Sequence, residues 1–395
     1  MHPMTANPDP GEFVARLRAA LGGIPRAELH EPHFGGREWT YVKECLDTGW
    51  ISSAGSRVGQ FEERLSNLLE GRPVVASVNG TAALRVALEL AGVGRDEEVL
   101  IPALTFVATA NAVSHLGAIA HLIDSSEATL GVDPAKLSTH LDHIGERRGG
   151  RTLNRRTGRR LAAIVPMHCF GHPVDMDPLL ELAASWRIPV VEDATEALGS
   201  CYKGRKCGAL APLAALSFNG NKIVTTGGGG AIVAAARDVA RRAKHLTTTA
   251  KLPHRWAFVH DRVGYNDRMP NINAAVGVAQ LEQLPRFLAA KRALQKRYES
   301  AFAGFAGARL FCPEPWAESN IWLAALVLDR PEPAVRDALL EASNAAGLMT
   351  RPAWTLMHRL AMYKDHPRAD LATAESLEAR LICLPSSAAL GFTHV

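Results

Sequence analysis

Short apolar runs alternate with amphipathic segments along the first two thirds of the chain. The apolar runs predict strands at residues 74–78, 99–102, 120–124, 161–166 and 189–193. The segments between them, such as residues 82–91 with Leu84 and Leu88 on one face, have helical periodicity. This alternation predicts an α/β fold with a mostly parallel sheet and helices on both faces. Ligands of such sheets bind beyond the carboxyl ends of the strands.

The two ends of the chain have a different pattern. Helical periodicity precedes the first strand at residues 11–22, 36–48 and 57–71. After a turn within residues 264–277, a long helix is predicted to end near Phe302, and a shorter α/β pattern follows. We therefore predict a large domain at residues 1–250, with an N-terminal helical arm, and a small C-terminal domain at residues 251–395.

Composition excludes several classes of protein. The chain of 395 residues has a net charge of only +4, which is too weak to predict nucleic-acid binding. Because its apolar runs are shorter than the roughly 18 to 20 residues of a membrane span, we expect no membrane insertion. The N-terminus lacks the pattern of a signal peptide. Six scattered cysteines without a C-x-x-C motif predict reduced thiols in the cytoplasm.

No metal site is predicted from the spacing of histidines and cysteines. His168 and His172 are four residues apart, but Gly171 and Pro173 argue against a helix that presents both rings.

A phosphate site is suggested where the first strand meets a helix through Asn79, Gly80 and Thr81. The N–H groups at the start of a helix and its positive dipole end favour an anion. The glycine permits close approach, and the threonine hydroxyl adds a donor. Many strand-to-helix turns share this pattern, so the motif is weak by itself.

A single lysine, Lys222, lies between two apolar runs and is followed by four glycines, Gly227 to Gly230. A lysine with little water around it has a lowered pKa, and its neutral amine can attack a carbonyl. Lys222 is therefore a candidate to form a Schiff base. The alternative is an ordinary lysine in a turn between two strands.

A carboxylate, Asp193, ends the strand at residues 189–193. With little water there, it needs a cationic or N–H partner. The alternative is that Asp193 caps a helix over residues 194–198.

Pyridoxal 5′-phosphate explains these features together. Its phosphate would bind at Asn79, Gly80, Thr81 and Ala82, and its ring would lie against Phe106. Asp193 would pair with the pyridine nitrogen, which makes the ring an electron sink. Lys222 would form the Schiff base and then move protons on the substrate.

The motifs N-G-T-A-A-L, V-E-D-A-T-E-A-L-G, S-F-N-G-N-K-I-V-T-T-G-G-G-G and G-Y-N-D-R-M-P resemble the DegT/StrS-type nucleotide-sugar aminotransferases. The resemblance implies pyridoxal phosphate fold type I (aspartate aminotransferase-like), with a seven-stranded sheet. It also implies a homodimer with shared active sites and L-glutamate as amino donor. Ser217 would bind the phosphate, and Asn266 would reach it from the neighbouring subunit.

Two positions depart from the common pattern of the family. Glu196 stands where many members have a glutamine near the cofactor hydroxyl, and Asp267 stands where an aromatic residue is frequent. Members with histidine at the lysine position are dehydratases, so Lys222 favours transamination.

Several segments, including D-T-G-W-I-S-S-A-G and M-T-R-P-A-W-T-L-M-H, resemble the bacillosamine and legionaminic acid branch. That branch aminates C4 of a 4-keto-6-deoxy-N-acetylhexosamine linked to UDP, or sometimes GDP, for surface-glycan or nonulosonic acid synthesis. The candidates for sugar or diphosphate contact are Trp50, Ser52, Ser53, His254, Trp354 and His358. Each of these residues could equally serve only in packing, and loop 48–55 could be a plain helix connection.

Other interpretations stay open from the sequence. A sister enzyme such as a GDP-perosamine synthase is the nearest alternative, and a non-catalytic protein that binds pyridoxal phosphate or a sugar nucleotide is a remote one. Arg268 and Arg351 are candidates for binding the carboxylate of the amino donor. Seven arginines between Gly145 and Arg160 predict a solvated loop or hairpin with a Thr-Gly turn, or else a grip on a nucleotide.

Overall fold

The computed structural model describes residues 7–392. Three helices precede the first strand: α1 (Pro10–Ala20), α2 (Glu38–Thr48) and α3 (Ser56–Leu68). Strands and helices then alternate as β1 (Val74–Ser77), α4 (Gly80–Leu90), β2 (Glu98–Pro102), α5 (Val107–Ser114), β3 (Ile119–Ile123), α6 (Pro134–Ile144), β4 (Gly145–Arg148), β5 (Arg151–Asn154), β6 (Leu161–Ile164), α7 (Met176–Trp186), β7 (Val191–Asp193), β8 (Cys201–Tyr202), β9 (Arg205–Lys206), β10 (Leu213–Ser217), β11 (Gly230–Ala234) and α8 (Arg237–Thr247).

The rest of the chain begins with a long helix and continues as a smaller α/β unit. Its elements are α9 (Asn271–Phe302), β12 (Ala308–Leu310), β13 (Ala317–Glu318), β14 (Ala324–Leu328), α10 (Pro333–Ala345), β15 (Arg351–Pro352), α11 (Ala372–Arg380) and β16 (Leu381–Leu384).

The central sheet has the strand order β1-β11-β10-β7-β6-β2-β3. Strands β7 and β6 are joined by parallel bridges, and the Ile164 N–H donates to the Pro189 carbonyl at 2.9 Å. Only β11 runs antiparallel to its neighbours, so the predicted seven-stranded, mostly parallel sheet is confirmed. Its strands are buried on both faces, as the continuous apolar runs require.

Helix α9 connects the two parts of the molecule. Its first half packs in the core beside the central sheet, through residues such as Val278 and Phe287. Its second half packs with α1 and the C-terminal sheet, whose strand order is β12-β14-β16-β15. Phe13 of α1 is fully buried in this second core. The N-terminal arm therefore lies against the C-terminal unit, while the division near residue 250 stays a prediction.

Some local predictions were wrong. No helix covers residues 194–198, which form turns, so Asp193 is not a helix cap. The arginine-rich segment forms the hairpin β4–β5, but its tip is Gly149–Gly150 rather than the Thr-Gly pair. Both tip glycines have positive φ angles, which glycine adopts without steric cost. Helix α6 and strand β16 were not predicted. Across the described residues, no helix is long and apolar enough to span a membrane.

Candidate active site

A cavity of about 650 Å³ opens at the carboxyl ends of the central strands. It brings together the turn before α4, the end of β7, the end of β10 and the turn that follows β10. The predicted site residues that line it are Asn79, Gly80, Thr81, Phe106, Asp193, Glu196, Ser217, Lys222 and Trp354. Residues far apart in the chain thus meet at the edge where ligands of parallel sheets bind.

The turn before α4 is built to hold an anion. The Asn79 side chain accepts a hydrogen bond from the Ala82 N–H at 2.8 Å, so this N–H is occupied by the helix cap. The N–H groups of Gly80 and Thr81 belong to the first helical turn, whose donors have no partner inside the helix. A Cβ atom at Gly80 would lie 2.8 Å from Cβ of Ser217, so only glycine allows this approach. Gly80, Thr81 and Ser217 therefore form the cradle.

Gly230, the first residue of β11, packs against the same turn. A Cβ atom at Gly230 would overlap the carbonyl of Asn79. The four-glycine run thus ends where β11 passes directly against the cradle, and the run was a usable sequence signal for this close packing.

Asp193 is buried and held by hydroxyl groups. Its Oδ2 accepts from Thr109 Oγ1 at 2.9 Å, and its Oδ1 accepts from Thr195 Oγ1 at 2.7 Å. Among the described residues, no lysine or arginine forms an ion pair with this carboxylate. A buried charge without a protein counter-ion, at the wall of a cavity, favours a cationic nitrogen on the ligand.

Lys222 and Glu196 form an ion pair in the cavity. Lys222 Nζ lies 3.1 Å from Glu196 Oε1, and the Phe170 N–H donates to Glu196 Oε2 at 2.9 Å. Burial raises the pKa of Glu196 to about 7, although the Lys222 ammonium and the Phe170 N–H partly oppose this effect. This carboxyl group therefore exchanges its proton near neutral pH, directly beside the amine.

Aromatic rings surround the amine and the cavity mouth. Lys222 Nζ lies 3.7 Å from the centre of the Trp322 ring, and Trp322 Nε1 donates to the Asn221 carbonyl at 2.7 Å. Trp354 lies 4.9 Å from Phe170 and 6.3 Å from Phe106 between ring centres. Trp322 and His30 also line the cavity, and neither was predicted as a site residue, because neither lies in a motif that indicates chemistry.

Several predicted site residues lie outside the cavity of their own chain. Trp50, Ser52, Ser53, His254 and Asn266 are exposed on surface loops. His358 Nε2 is instead within 3.1 Å of Glu375 Oε1. None of them lines the cavity formed by the described residues, so a single chain does not bring them to Lys222.

The two candidate arginines have different surroundings. Arg268 is buried and bonded to Glu62 Oε1 at 2.7 Å, away from the cavity lining. Arg351 is exposed and lines the cavity. Asp267, which departs from the family pattern, forms an ion pair with Arg85 at 2.5 Å. Arg351 is therefore the arginine that can meet an anionic substrate.

One buried group among the described residues has the elements of a metal site: His168, Glu192 and Cys207. Glu192 already accepts hydrogen bonds from the N–H groups of Gly208, Leu210 and Ala211, and its Oε1 lies 2.9 Å from His168 Nε2. Because His168 Nδ1 accepts from the Val174 N–H, the ring proton lies on Nε2 and faces the carboxylate. The hydrogen bonds of this cluster are satisfied within the protein, and it serves the fold.

Comparison with known proteins gives a family match over nearly the whole chain. A sequence model of the DegT/DnrJ/EryC1/StrS aminotransferase family matches residues 32–395. GDP-perosamine synthase of Caulobacter vibrioides is 35% identical over 372 residues, which cover 94% of this chain and 95% of that protein.

Solved structures share the fold. The aminotransferase TlmJ from Streptoalloteichus hindustanus is 27% identical, with a TM-score of 0.82 over 93% of this chain and 95% of that one. Spr1654 from Streptococcus pneumoniae, solved in its PMP form, is 25% identical, with a TM-score of 0.82 over 92% of both chains. These similarities confirm the fold type that the sequence resemblance implied.

Proposed function

This chain belongs to the DegT/DnrJ/EryC1/StrS aminotransferase family, and from this premise we propose that it aminates a sugar nucleotide. The reaction transfers an amino group from L-glutamate to carbon 4 of a 4-keto-6-deoxy-N-acetylhexosamine linked to UDP. The product would enter surface-glycan or nonulosonic acid synthesis. The observation that carries the proposal is the single cavity that contains Lys222, Asp193 and the anion cradle.

The cofactor is pyridoxal 5′-phosphate. The cradle of Gly80, Thr81 and Ser217 fits a phosphate, and the uncompensated carboxylate of Asp193 fits a protonated pyridine nitrogen. Lys222 would hold the cofactor covalently. When bound, the cofactor supplies an electron sink that stabilises negative charge on the carbon next to the amino nitrogen.

Lys222 and Glu196 would carry out the proton transfers of the reaction. Before Lys222 can act as a nucleophile, its ammonium must lose a proton, and Glu196 Oε1 at 3.1 Å is in place to accept it. The freed amine of Lys222 can then remove a proton from the substrate carbon and return one elsewhere. Trp322 covers one side of this amine and limits the access of water to it.

Aromatic side chains and a second subunit would complete the substrate site. Trp354 and Phe106 at the cavity mouth offer faces for the sugar or the base, and Arg351 offers a charge for the diphosphate or the donor carboxylate. We propose that Trp50, Ser52, Ser53, His254 and Asn266 act from a partner subunit in a homodimer. Large apolar side chains that neighbour these residues in the chain are exposed, which supports a partner surface there: Ile51, Trp256, Phe258 and Val263.

A GDP-linked sugar is the second candidate substrate. Its support is the 35% identity to the GDP-perosamine synthase of Caulobacter vibrioides, which spans 94% of this chain. The same Lys222, Asp193 and cradle would serve either sugar, because the reacting carbon has the same chemistry in both.

Absorbance of the purified protein tests the first half of this proposal. With bound cofactor we expect a visible band that shifts when L-glutamate is added, and we expect Lys222→Ala to lack the wild-type band. Adding the keto sugar should then reverse the shift. A protein with no band, even after addition of pyridoxal phosphate, would contradict the catalytic proposal.

Sugar specificity needs a second measurement. UDP-linked 4-keto-6-deoxy-N-acetylhexosamine and GDP-linked 4-keto-6-deoxymannose are compared by kcat/KM with L-glutamate as donor. A higher kcat/KM for the UDP sugar supports the proposal, and a higher value for the GDP sugar supports the second candidate.

A further inference from the structure

A second lysine, Lys291 of helix α9, lies behind the cavity wall and has no part in the proposed chemistry. Its side chain is 2% exposed. The ion pairs found among the described residues include none with Lys291. Burial lowers the pKa of Lys291 to about 7. A buried lysine without a carboxylate is costly, and a Leu or Met side chain would fill the same space at a smaller cost.

The Lys291 ammonium is satisfied by three acceptors from three different chain segments. Its Nζ donates to the Trp322 carbonyl at 3.2 Å and to the Ser386 carbonyl, and lies 3.1 Å from His30 Nε2. An ammonium has three donors and no acceptor, so each of these contacts uses one donor. The bond to His30 requires the lone pair of Nε2, which places the ring proton on Nδ1 and keeps the imidazole neutral.

Two of the three acceptors belong to residues of the cavity wall. His30 and Trp322 both line the cavity, and their ring centres are 6.4 Å apart. The segment of His30 is further bound to the segment of Ser386, because the Ser386 N–H donates to the Leu29 carbonyl at 2.7 Å. Lys291 therefore joins the N-terminal segment and the residues around β14 and β16 at one point behind the wall.

Trp322 connects the hydrogen bonds of Lys291 to the amine of Lys222. Its backbone carbonyl binds Lys291, while its ring contacts Lys222 Nζ and its indole N–H holds the Asn221 carbonyl. A shift of the Trp322 backbone would move the ring that covers Lys222 and also the turn that carries Lys222.

We propose that Lys291 is a positioning residue, whose amino group holds Trp322 and His30 in place as the wall that orients Lys222 for attachment of the cofactor. The bonds to Trp322 and His30 act on Lys222 through the Trp322 ring and the Asn221 carbonyl. The inference rests on the proposed role of Lys222 and goes beyond it, because it assigns a role in cofactor attachment to a residue outside the cavity.

The test compares two variants of helix α9 that each lose hydrogen bonds to the same neighbouring segment. Lys291→Met keeps the size of the side chain and removes all three donors. Tyr298→Phe is the matched control, because Tyr298 Oη donates to the Pro385 carbonyl at 2.7 Å, next to Ser386, without touching the wall. Apoenzyme of each variant is titrated with pyridoxal 5′-phosphate, and absorbance, visible circular dichroism and Tm are recorded.

We expect Lys291→Met to weaken cofactor affinity about tenfold or more and to change the circular dichroism of the bound cofactor, while Tyr298→Phe lowers only the Tm. If Lys291 is purely structural, Lys291→Met will change only the Tm and leave cofactor affinity and dichroism at their wild-type values, which would overturn the proposal.

Two further variants keep the outcome clear. If Lys291→Met does not fold, His30→Leu removes one acceptor of Lys291 from the opposite side, and we expect the same change in dichroism with a smaller loss of affinity. A wild-type dichroism for His30→Leu would then overturn the proposal. Lys222→Ala separates the two assumptions, since a wild-type absorption band in that variant would show that Lys222 itself had been misassigned.

Discussion

Two lysines contact Trp322 from different parts of the molecule, and their surroundings are opposite. Lys222, on the turn after β10, has a carboxylate partner at 3.1 Å and a side chain that is 11% exposed. Lys291, within helix α9, is 2% exposed and bonded only to a histidine and two carbonyls. The first amine has a carboxylate beside it and space in front of it, and the second has neither.

The comparison shows that the surroundings of a lysine decide whether its amine can react or can only hold neighbouring residues. Lys222 can lose its proton to Glu196 and turn toward a ligand, because only one of its donors is held by a strong acceptor. While Lys291 is protonated, all three of its donors are held, so its motion would break bonds that nothing replaces. A lysine inside a cavity whose donors are only partly hydrogen-bonded is therefore free to react. A lysine behind the cavity whose donors are all hydrogen-bonded is instead suited to hold its neighbours in place.

The largest effect should come from replacing the reactive amine. Lys222→Ala is expected to lower the rate of amino transfer on the order of 10³-fold or more, because both covalent attachment and proton transfer are lost. The measurement is single-turnover formation of the amino sugar. Lys222→Arg, which keeps the charge but is not a useful nucleophile, should be equally inactive. Substantial activity in either variant would remove the contrast between the two lysines.

The next effect concerns stability and pH. The folded protein releases the Lys291 proton near pH 7, whereas the unfolded chain keeps it up to about pH 10.5. Between these values the unfolded state binds more protons, so the free energy of unfolding should rise by roughly 1.4 kcal/mol per pH unit through this group. In Lys291→Met this contribution is absent, so the wild-type Tm minus the variant Tm should increase from pH 7 to 9.5, whatever its sign at pH 7.

Tyr298→Phe again provides the control for this stability prediction. Burial raises the pKa of Tyr298, so this tyrosine stays protonated throughout the measured range. The difference in Tm between Tyr298→Phe and the wild type should then be constant between pH 7 and 9.5. A constant difference for Lys291→Met as well would mean that Lys291 does not titrate in the folded protein.

The smallest effect is expected at the partner of Lys222. Glu196→Gln keeps an acceptor for the Phe170 N–H but removes the base. Because the pKa of Glu196 is raised to about 7, wild-type capture of pyridoxal phosphate should accelerate as the pH rises through 7. The variant should lack this inflection and be slower at pH 8, roughly tenfold, with similar rates below pH 6. Rapid-mixing absorbance measures it, and equal rates at pH 8 would exclude Glu196 as the base.

Much of the fold and some of the site were predictable from local patterns. The seven-stranded sheet follows from buried apolar runs separated by helices, since a strand that is apolar on both faces needs a sheet covered by helices on both sides. The cradle at Gly80 and the carboxylate at Asp193 lie at the ends of strands, where the direction of a parallel sheet already places them. Lys222 could be singled out as the candidate amine because it interrupts an apolar pattern.

Other features depend on contacts between distant segments. Nothing in the sequence around Trp322, His30 or Lys291 indicates that the three meet, because the bonds joining them link residues 31 to 261 positions apart. The alternative of a helix after Asp193 was wrong for a related reason. Asp193 accepts from the hydroxyl of Thr109, which is distant in the chain, and from that of the neighbouring Thr195, instead of capping a helix.

The sequence by itself determined the class of fold, the family, and the groups able to hold the cofactor, because these depend on residue type, periodicity and short motifs. Only the tertiary structure decided the partner of each group. Glu196 pairs with Lys222, whereas Glu192, four residues earlier, is occupied by N–H donors. Partner choice depends on which backbone and side-chain atoms converge within about 3 Å, and only the packing of the chain brings them there.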